Sequence, residues 1–239
     1  MKTSEQSLFP GVSLRSFDDP EALSGALADQ VASRLRQSVR ERGGALLVVS
    51  GGRTPAGFLQ ALSGLQLPWD QVTIVPSDER WVAAESDQRN SRMIRQYLLQ
   101  GPAASARLME LVEEGDETPG QAARQASERL AGLHWPADVV VLGMGEDGHT
   151  ASLFPDAPEL PMAMAADAPP VAVTTPDSQS TVRLTLSARA LSDARMTVLL
   201  LRGDDKKAAL DEAIAEPFAI GPMPVRYFFH QPLAIFWSA

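Results

Sequence analysis

Residues 138–150 read DVVVLGMGEDGHT, four apolar residues behind an aspartate and then three glycines within six positions. An apolar run of this length, bounded by glycine, is the pattern of a strand buried on both faces, as in a parallel sheet covered by helices. Similar runs recur at Ala45–Ser50, Val72–Val75, Val182–Leu186, Thr197–Leu201 and Leu233–Phe236. Helical patterns lie between several of them. In residues 19–42, Asp19 and Pro20 form an N-cap and first-turn pair, and Leu23, Leu27, Val31, Leu35 and Val39 follow at steps of four before Gly43 and Gly44 end the helix. Further helices are predicted from Thr54 to about Leu62, and near Ser91–Leu99, Gln121–Leu133 and Lys206–Ile214. This alternation predicts an α/β fold with a mostly parallel sheet covered on both sides, whose ligand sites gather where strands end. The Pro-rich stretch Pro155–Pro176 is the one candidate linker, but motif residues flank it, so it reads as a long surface loop within one domain spanning 1–239.

The bulk composition narrows the function classes. The chain has 239 residues, 44% of them hydrophobic and 21% charged, which is the balance of a globular protein. It has no cysteine, which excludes a disulfide framework, a thiolate metal site and a cysteine nucleophile. No apolar stretch stands behind Lys2 in MKTSEQSLFPGVS, and no run is long enough to span a bilayer, so the expectation is a cytoplasmic protein with no membrane partner. A net charge of −9 argues against nucleic acid, which needs a broad basic face. It leaves room for a small phosphorylated ligand, held by positive charge focused at one cleft.

Three strand-exit loops carry candidate chemistry. Ser50-Gly51-Gly52-Arg53-Thr54-Pro55 joins a strand to a helix, where glycines admit a ligand and the helix N-terminus offers unpaired N–H groups. Taken alone it is either a phosphate cradle or a tight turn with a Thr54 cap. Ser77-Asp78-Glu79-Arg80-Trp81 follows another strand; it is either a solvated corner or a place where two acids hold Arg80 for an anionic substrate. The third, Gly143–Thr150, satisfies GxGxxG after a strand. A dinucleotide fold is nevertheless disfavoured, because Pro155, Pro158 and Pro161 leave little room for a long crossover helix, and Asp167 sits among prolines rather than at a strand end. What remains is His149 on a glycine-rich loop with Asp147 two positions earlier, a histidine that a carboxylate can orient for proton transfer. The other two histidines, His134 and His230, suit structural or surface roles. Downstream, Arg183 opens VRLTL and Lys206 follows Gly203-Asp204-Asp205; with the first loop they can clamp a phosphate, whereas Lys207 reads as a surface charge.

The ordered set SGGRTP, DERWV followed by Asn90, GMGEDGHTASLFP, RLT and GDDK resembles the 6-phosphogluconolactonase family, which shares a wider group with the glucosamine-6-phosphate deaminases. The likeness runs from about Ala45 to Ile214 and weakly to Trp237, and GHTASLFP is its most diagnostic piece. The resemblance implies a Rossmann-like three-layer α/β/α fold, no metal, no organic cofactor, and hydrolysis of 6-phospho-glucono-1,5-lactone in the pentose phosphate pathway. By motif position it implies that His149 activates water with Asp147 beside it. Gly51, Gly52, Arg53, Thr54, Arg183 and Lys206 would bind phosphate, and Asp78, Arg80 and Asn90 would meet the rest of the substrate. The chain departs from the family pattern at Ala83, where proline is frequent, and at Arg89, where a serine commonly precedes the asparagine.

The same resemblance frames the rivals. Relatives that isomerise amino-sugar phosphates carry glutamate five residues after the motif histidine, where this chain has Phe154, and commonly tyrosine where it has Arg80. A sugar-phosphate-binding protein without turnover is the rival from another class, and the presence of both Asp147 and His149 weighs against it.

Overall fold

The computed structural model of the chain describes residues 3–239, so the N-terminal reading is met only from Thr3 onward. In chain order, β1 (Thr3–Phe9), β2 (Val12–Phe17), α1 (Pro20–Arg42), β3 (Ala45–Val49), α2 (Ala56–Ser63) and β4 (Val72–Pro76) come first. Next are β5 (Asp78–Arg80), α3 (Asn90–Tyr97), β6 (Arg107–Leu108), α4 (Pro119–Ala131) and β7 (Val139–Leu142). Then follow α5 (Leu160–Ala163), β8 (Val171–Thr174), β9 (Arg183–Leu186), α6 (Ala188–Ser192), β10 (Thr197–Arg202), α7 (Asp204–Ala215) and β11 (Leu233–Ser238).

The main sheet has the order β1-β2-β11-β10-β7-β3-β4-β6. Every neighbouring pair in it is parallel except β1 with β2. Its central strands β3, β7 and β10 are buried on both faces, and their residues alternate between two cores, whereas the edge strand β1 is largely exposed. Leu46, Val48, Val140, Leu142, Leu199 and Leu201 point into one, packed with residues of α4 and α7. Leu47, Val49, Val139, Val141, Val198 and Leu200 point into the other, beneath α1 and α2. That period-two division of apolar strands between two helical layers is what defines three layers.

Helix α1 forms as its spacing predicts. Asp19 Oδ1 accepts from the Ala22 N–H at 2.7 Å, and Gly43 ends the helix at φ 75°, in the left-handed region where glycine costs least. Leu23, Leu27, Val31 and Leu35 are buried along one face. Helix α2 differs from expectation: its N-cap is Pro55, and neither Thr54 nor any other side chain caps it.

Three other expectations are corrected. The 182–186 strand lies outside the parallel sheet; β9 is the centre of a separate antiparallel sheet of order β5-β9-β8. The segment after β4 is therefore strand β5 rather than a loop or a solvated corner, and Glu79 is fully buried. The stretch 155–176 is not a bare surface loop, because it contains α5 and all of β8 and buries Leu160, Ala163 and Val171. These short elements lack a readable period, and their burial comes from tertiary partners.

Fully buried Asp138, just before β7, joins several elements. Its Oδ1 accepts from Arg42 at 2.5 Å, and its Oδ2 accepts from the backbone N–H of Leu46 at 2.8 Å. Truncating Asp138 to alanine lets Arg42 turn to water but leaves the Leu46 N–H buried and unpaired. Asp138→Ala is expected to lose about 1–3 kcal/mol of stability in urea unfolding. A loss of a few tenths would show that this carboxylate is not a joint of the fold.

Candidate active site

Going outward in space from the middle of the sheet, sequence order runs β3-β4-β6 on one side and β7-β10-β11 on the other. The boundary between β3 and β7 is therefore a topological switch point, where loops leaving two adjacent parallel strands diverge and open a crevice. The loops after β3 and β7 are the first and third candidate loops. A cleft of about 230 Å³ lies there, lined by Ser50, Gly51, Gly52, Arg53, Thr54, Asp78, Arg80, Asn90, Gly145, His149, Arg183 and Lys206 among others. Of the residues singled out from the sequence, Asp147 alone does not line it and instead stands behind His149.

The histidine is held from two directions. Its Nδ1 lies 2.6 Å from Asp147 Oδ1, which also accepts from the His149 backbone N–H at 3.1 Å. Burial pushes the Asp147 carboxyl upward, but the hydrogen bond and charge of the His149 ring and the backbone N–H bonds outweigh it, leaving the carboxyl below its ordinary value. An ionised carboxylate can only accept, so the proton of this bond sits on Nδ1, and whenever the ring is neutral its lone pair lies on Nε2. The His149 ring also stacks on Phe154, with centroids 3.9 Å apart. Gly145 makes this possible, since a Cβ there would overlap the His149 ring and the Asp147 carboxylate. Ala151, also lining the cleft, holds a left-handed φ of 49°, a strained geometry of the kind that clusters at functional sites.

Opposite this loop, the small sheet contributes charge. Arg80 and Arg183 are direct cross-strand partners, and Arg183 is buried. Burial lowers the Arg183 pKa, and Arg80 lowers it further while Asp78 and Glu79 oppose this. Arg183 Nη2 donates to Gln179 Oε1 at 2.6 Å, whereas its Nε is buried without a partner, as is the Nε of Arg80. Like charges opposed across a ladder destabilise it, and an anion lodged beside them would relieve that cost. Lys206, in the first turn of α7, reaches the cleft with Nζ 3.7 Å from Glu146, while Lys207 pairs with Asp211 away from it. Arg53 stands exposed at the rim.

Asp78 and Asn90 form the floor. Asp78 accepts from the hydroxyls of Ser77 at 3.0 Å and Ser152 at 2.6 Å. Asn90 Nδ2 donates to the Asp78 carbonyl at 2.8 Å, and its Oδ1 packs where a Cβ on Gly51 would fall, so only glycine fits there. Asn90 is stationed by Glu79, whose Oε1 accepts from the N–H groups of Arg80 and Asn90 at 2.8 and 2.7 Å and whose Oε2 accepts from Ser91 at 2.8 Å. Sequence reasoning missed the parts played by Glu79, Ser152 and Phe154. A three-charge run gave no sign that its middle member would be buried, and an aromatic ring among prolines reads as core. Among the described residues no group of three or more histidine and carboxylate side chains is placed to hold a metal ion.

A base with a fixed lone pair, facing a cleft with cations on its other walls, can activate water against an anionic electrophile. Comparison with known proteins gives the same class. Residues 18–237 match the family model described as glucosamine-6-phosphate isomerases/6-phosphogluconolactonase. The chain is 41% identical over 242 residues to a 6-phosphogluconolactonase of Pseudomonas aeruginosa, covering 99% of each. It is 42% identical to one of Rhizobium meliloti, over 93% of this chain and 97% of that protein. The crystal structure of a 6-phosphogluconolactonase from Shewanella baltica superposes with a TM-score of 0.91 at 40% identity, covering 95% of this chain and 97% of that one. The chain belongs to the glucosamine-6-phosphate isomerase/6-phosphogluconolactonase family.

The lowered pKa of Asp147 has a sign that unfolding can read. A carboxyl depressed in the folded state stabilises it fully above its ordinary value, near about pH 4, and loses that contribution as pH falls through the depressed one. Asp147 is partly exposed, so the effect is under about 1 kcal/mol. Asp147→Asn should therefore be slightly less stable than the parent near neutrality, with the gap closing as pH falls below the ordinary carboxyl range. A stability gap that stays constant from neutrality into strong acid would mean the charge plays no part.

Proposed function

We propose that this chain hydrolyses 6-phospho-D-glucono-1,5-lactone to 6-phospho-D-gluconate, the lactone-opening step of the pentose phosphate pathway. The observation that carries the reading is His149, oriented by Asp147, facing a cleft whose other walls bear Arg80, Arg183 and Lys206. The high identity to curated lactonases supports it. His149 Nε2 takes a proton from water as the water oxygen attacks the lactone carbonyl. The tetrahedral intermediate then collapses, the ring C–O bond breaks, and the imidazolium returns the proton to the departing alkoxide. Asp147 holds the imidazole and favours its charged form. The 50–54 loop, Arg183 and Lys206 bind the phosphate, and Arg80, Asp78 and Asn90 meet the sugar, so the far end of the substrate orients the reacting one.

We also read residues 1–239 as one lactonase domain and the enzyme as cytoplasmic, with neither nucleic acid nor membrane as partner. The acidic excess of 30 Asp and Glu over 21 Lys and Arg supports this, and no described helix is long and apolar enough to cross a membrane.

Proton release on adding freshly generated lactone, measured against the spontaneous rate, tests the reading directly. His149→Ala is expected to lower kcat by about 10²-fold or more with KM within a few-fold, because phosphate binding survives. Near-normal turnover in that variant would remove His149 as the base. The parent enzyme should release no ammonia from glucosamine 6-phosphate, and ammonia release at a rate comparable to lactone turnover would place it with the isomerases instead.

The cationic wall makes a separate claim. Arg183→Ala and Lys206→Ala should each raise KM for the phosphorylated lactone by roughly ten- to a hundredfold, and should matter much less for a lactone lacking phosphate. Equal losses on both substrates would assign these cations to the fold or to the chemistry.

A further inference from the structure

The proposed mechanism uses Asp147, the hydrogen-bond partner of His149, but leaves unexplained the ring against which His149 rests. Phe154 is 2% exposed, and its ring lies 3.9 Å from the His149 ring, centroid to centroid, with 20° between the planes. The guanidinium carbon of Arg183 is 5.2 Å from the same phenyl centroid. One aromatic ring therefore touches both the candidate base, on the loop after β7 of the main sheet, and a candidate phosphate ligand, on β9 of the small sheet.

Neither partner is fixed without it. The ring of His149 has one hydrogen bond, through Nδ1 to Asp147, and its Nε2 has no protein partner among the described residues. A single bond sets one direction but leaves the ring free to rock about the Nδ1···Oδ1 line. That rocking would swing the Nε2 lone pair across the cleft. A flat ring stacked at van der Waals distance removes this freedom. Arg183 likewise has one side-chain hydrogen bond, to Gln179, and faces the repulsion of Arg80 across the ladder. The negative face of a phenyl ring attracts a guanidinium, and it attracts an imidazolium once His149 has taken its proton. An aliphatic side chain of similar size would fill the space but offer neither a plane nor a quadrupole.

We propose that Phe154 is a positioning residue for the reaction, a shared aromatic platform that sets the plane of His149 and the station of Arg183. The proposal rests on the reading of His149 as the base, and it predicts a coupled effect. Losing the platform misaims the base, which lowers kcat, and loosens the phosphate ligand, which raises KM. A residue that only fills the core would change stability without changing either.

The test is Phe154→Leu in the full chain, with Leu160→Ala as a comparison. Leu160 is buried in the same core cluster and takes no part in the cleft. Phe154→Leu is expected to lower kcat by about ten- to a hundredfold and raise KM a few-fold for the phosphorylated lactone. Leu160→Ala should lose thermal stability and keep both constants. An independent signature comes from proton NMR of the free protein, where only three histidines need assigning. The phenyl face shifts the overlying imidazole C–H signals of His149 upfield. In Phe154→Leu these signals should move downfield, while those of His134 and His230 stay in place. The proposal is overturned if Phe154→Leu keeps kcat within about twofold, if the His149 signals do not move, or if Leu160→Ala loses kcat to the same extent. Failure of the underlying mechanism looks different: His149→Ala would retain turnover, while the NMR shift would still report whether the platform exists.

Discussion

The carboxylate of Glu79 is the joint through which the two sheets and the cleft acquire a fixed relation. It sits on β5, in the small antiparallel sheet, and accepts N–H bonds from Asn90 and Ser91, the first residues of α3, as well as from its neighbour Arg80. Helix α3 has no side-chain cap of its own at Arg89, so a residue eleven positions away supplies what an N-cap would otherwise supply. Burial pushes the Glu79 carboxyl up; the three N–H bonds and the charge of Arg89 pull the other way without fully offsetting it. A buried acid with that balance is costly to leave unpaired. Its donors are therefore held in one arrangement. Through Asn90 that arrangement reaches Gly51, and through β5 it reaches Arg80.

The same joint presses two arginines together. Arg80 follows Glu79 directly, and the register of β5 on β9 sets it opposite Arg183. In a chain of net charge −9 this is a local reversal of sign, with Lys206 of α7 and Arg53 of the loop after β3 adding to it. Repulsion within the group costs stability, and on the proposed function a phosphorylated ligand would offset it. Binding free energy drawn from relief of such repulsion would be confined to ligands that carry negative charge. Overall acidity and local basicity are thus compatible, because the cations are gathered by strand register and not by composition.

Legibility in the sequence followed the origin of each element's stability. Helix α1 and strands β3, β7 and β10 carry their burial in their own spacing, and the spacing was sufficient to find them. His149 and Asp147 were legible because a two-residue separation on a glycine-rich loop already brings a carboxylate to a ring nitrogen. Strand β5 was not legible. Asp78 and Glu79 look like solvent-facing acids until Ser77, Ser152, Asn90 and Ser91 are known to surround them. The short elements α5 and β8 were hidden by prolines, and the β1–β2 hairpin by its polar outer strand. Phe154 was visible only as a position that cannot carry a proton. Its contacts depend on how the 143–154 loop folds back toward β9, and no periodicity encodes that.

That position bears on which chemistry the site can support. Moving a proton between two carbons of a sugar requires a second acid–base group placed over the substrate in addition to the histidine. Phe154 offers none, and the carboxylate oxygens of Asp78 are already committed to the hydroxyls of Ser77 and Ser152. Lactone hydrolysis asks for less. One proton leaves water and one reaches the ring oxygen, and a single imidazole can carry both because the two transfers occur in sequence on neighbouring atoms. On the proposed function, one oriented base and a cationic wall would meet the needs of the second reaction, and the first would need a further group.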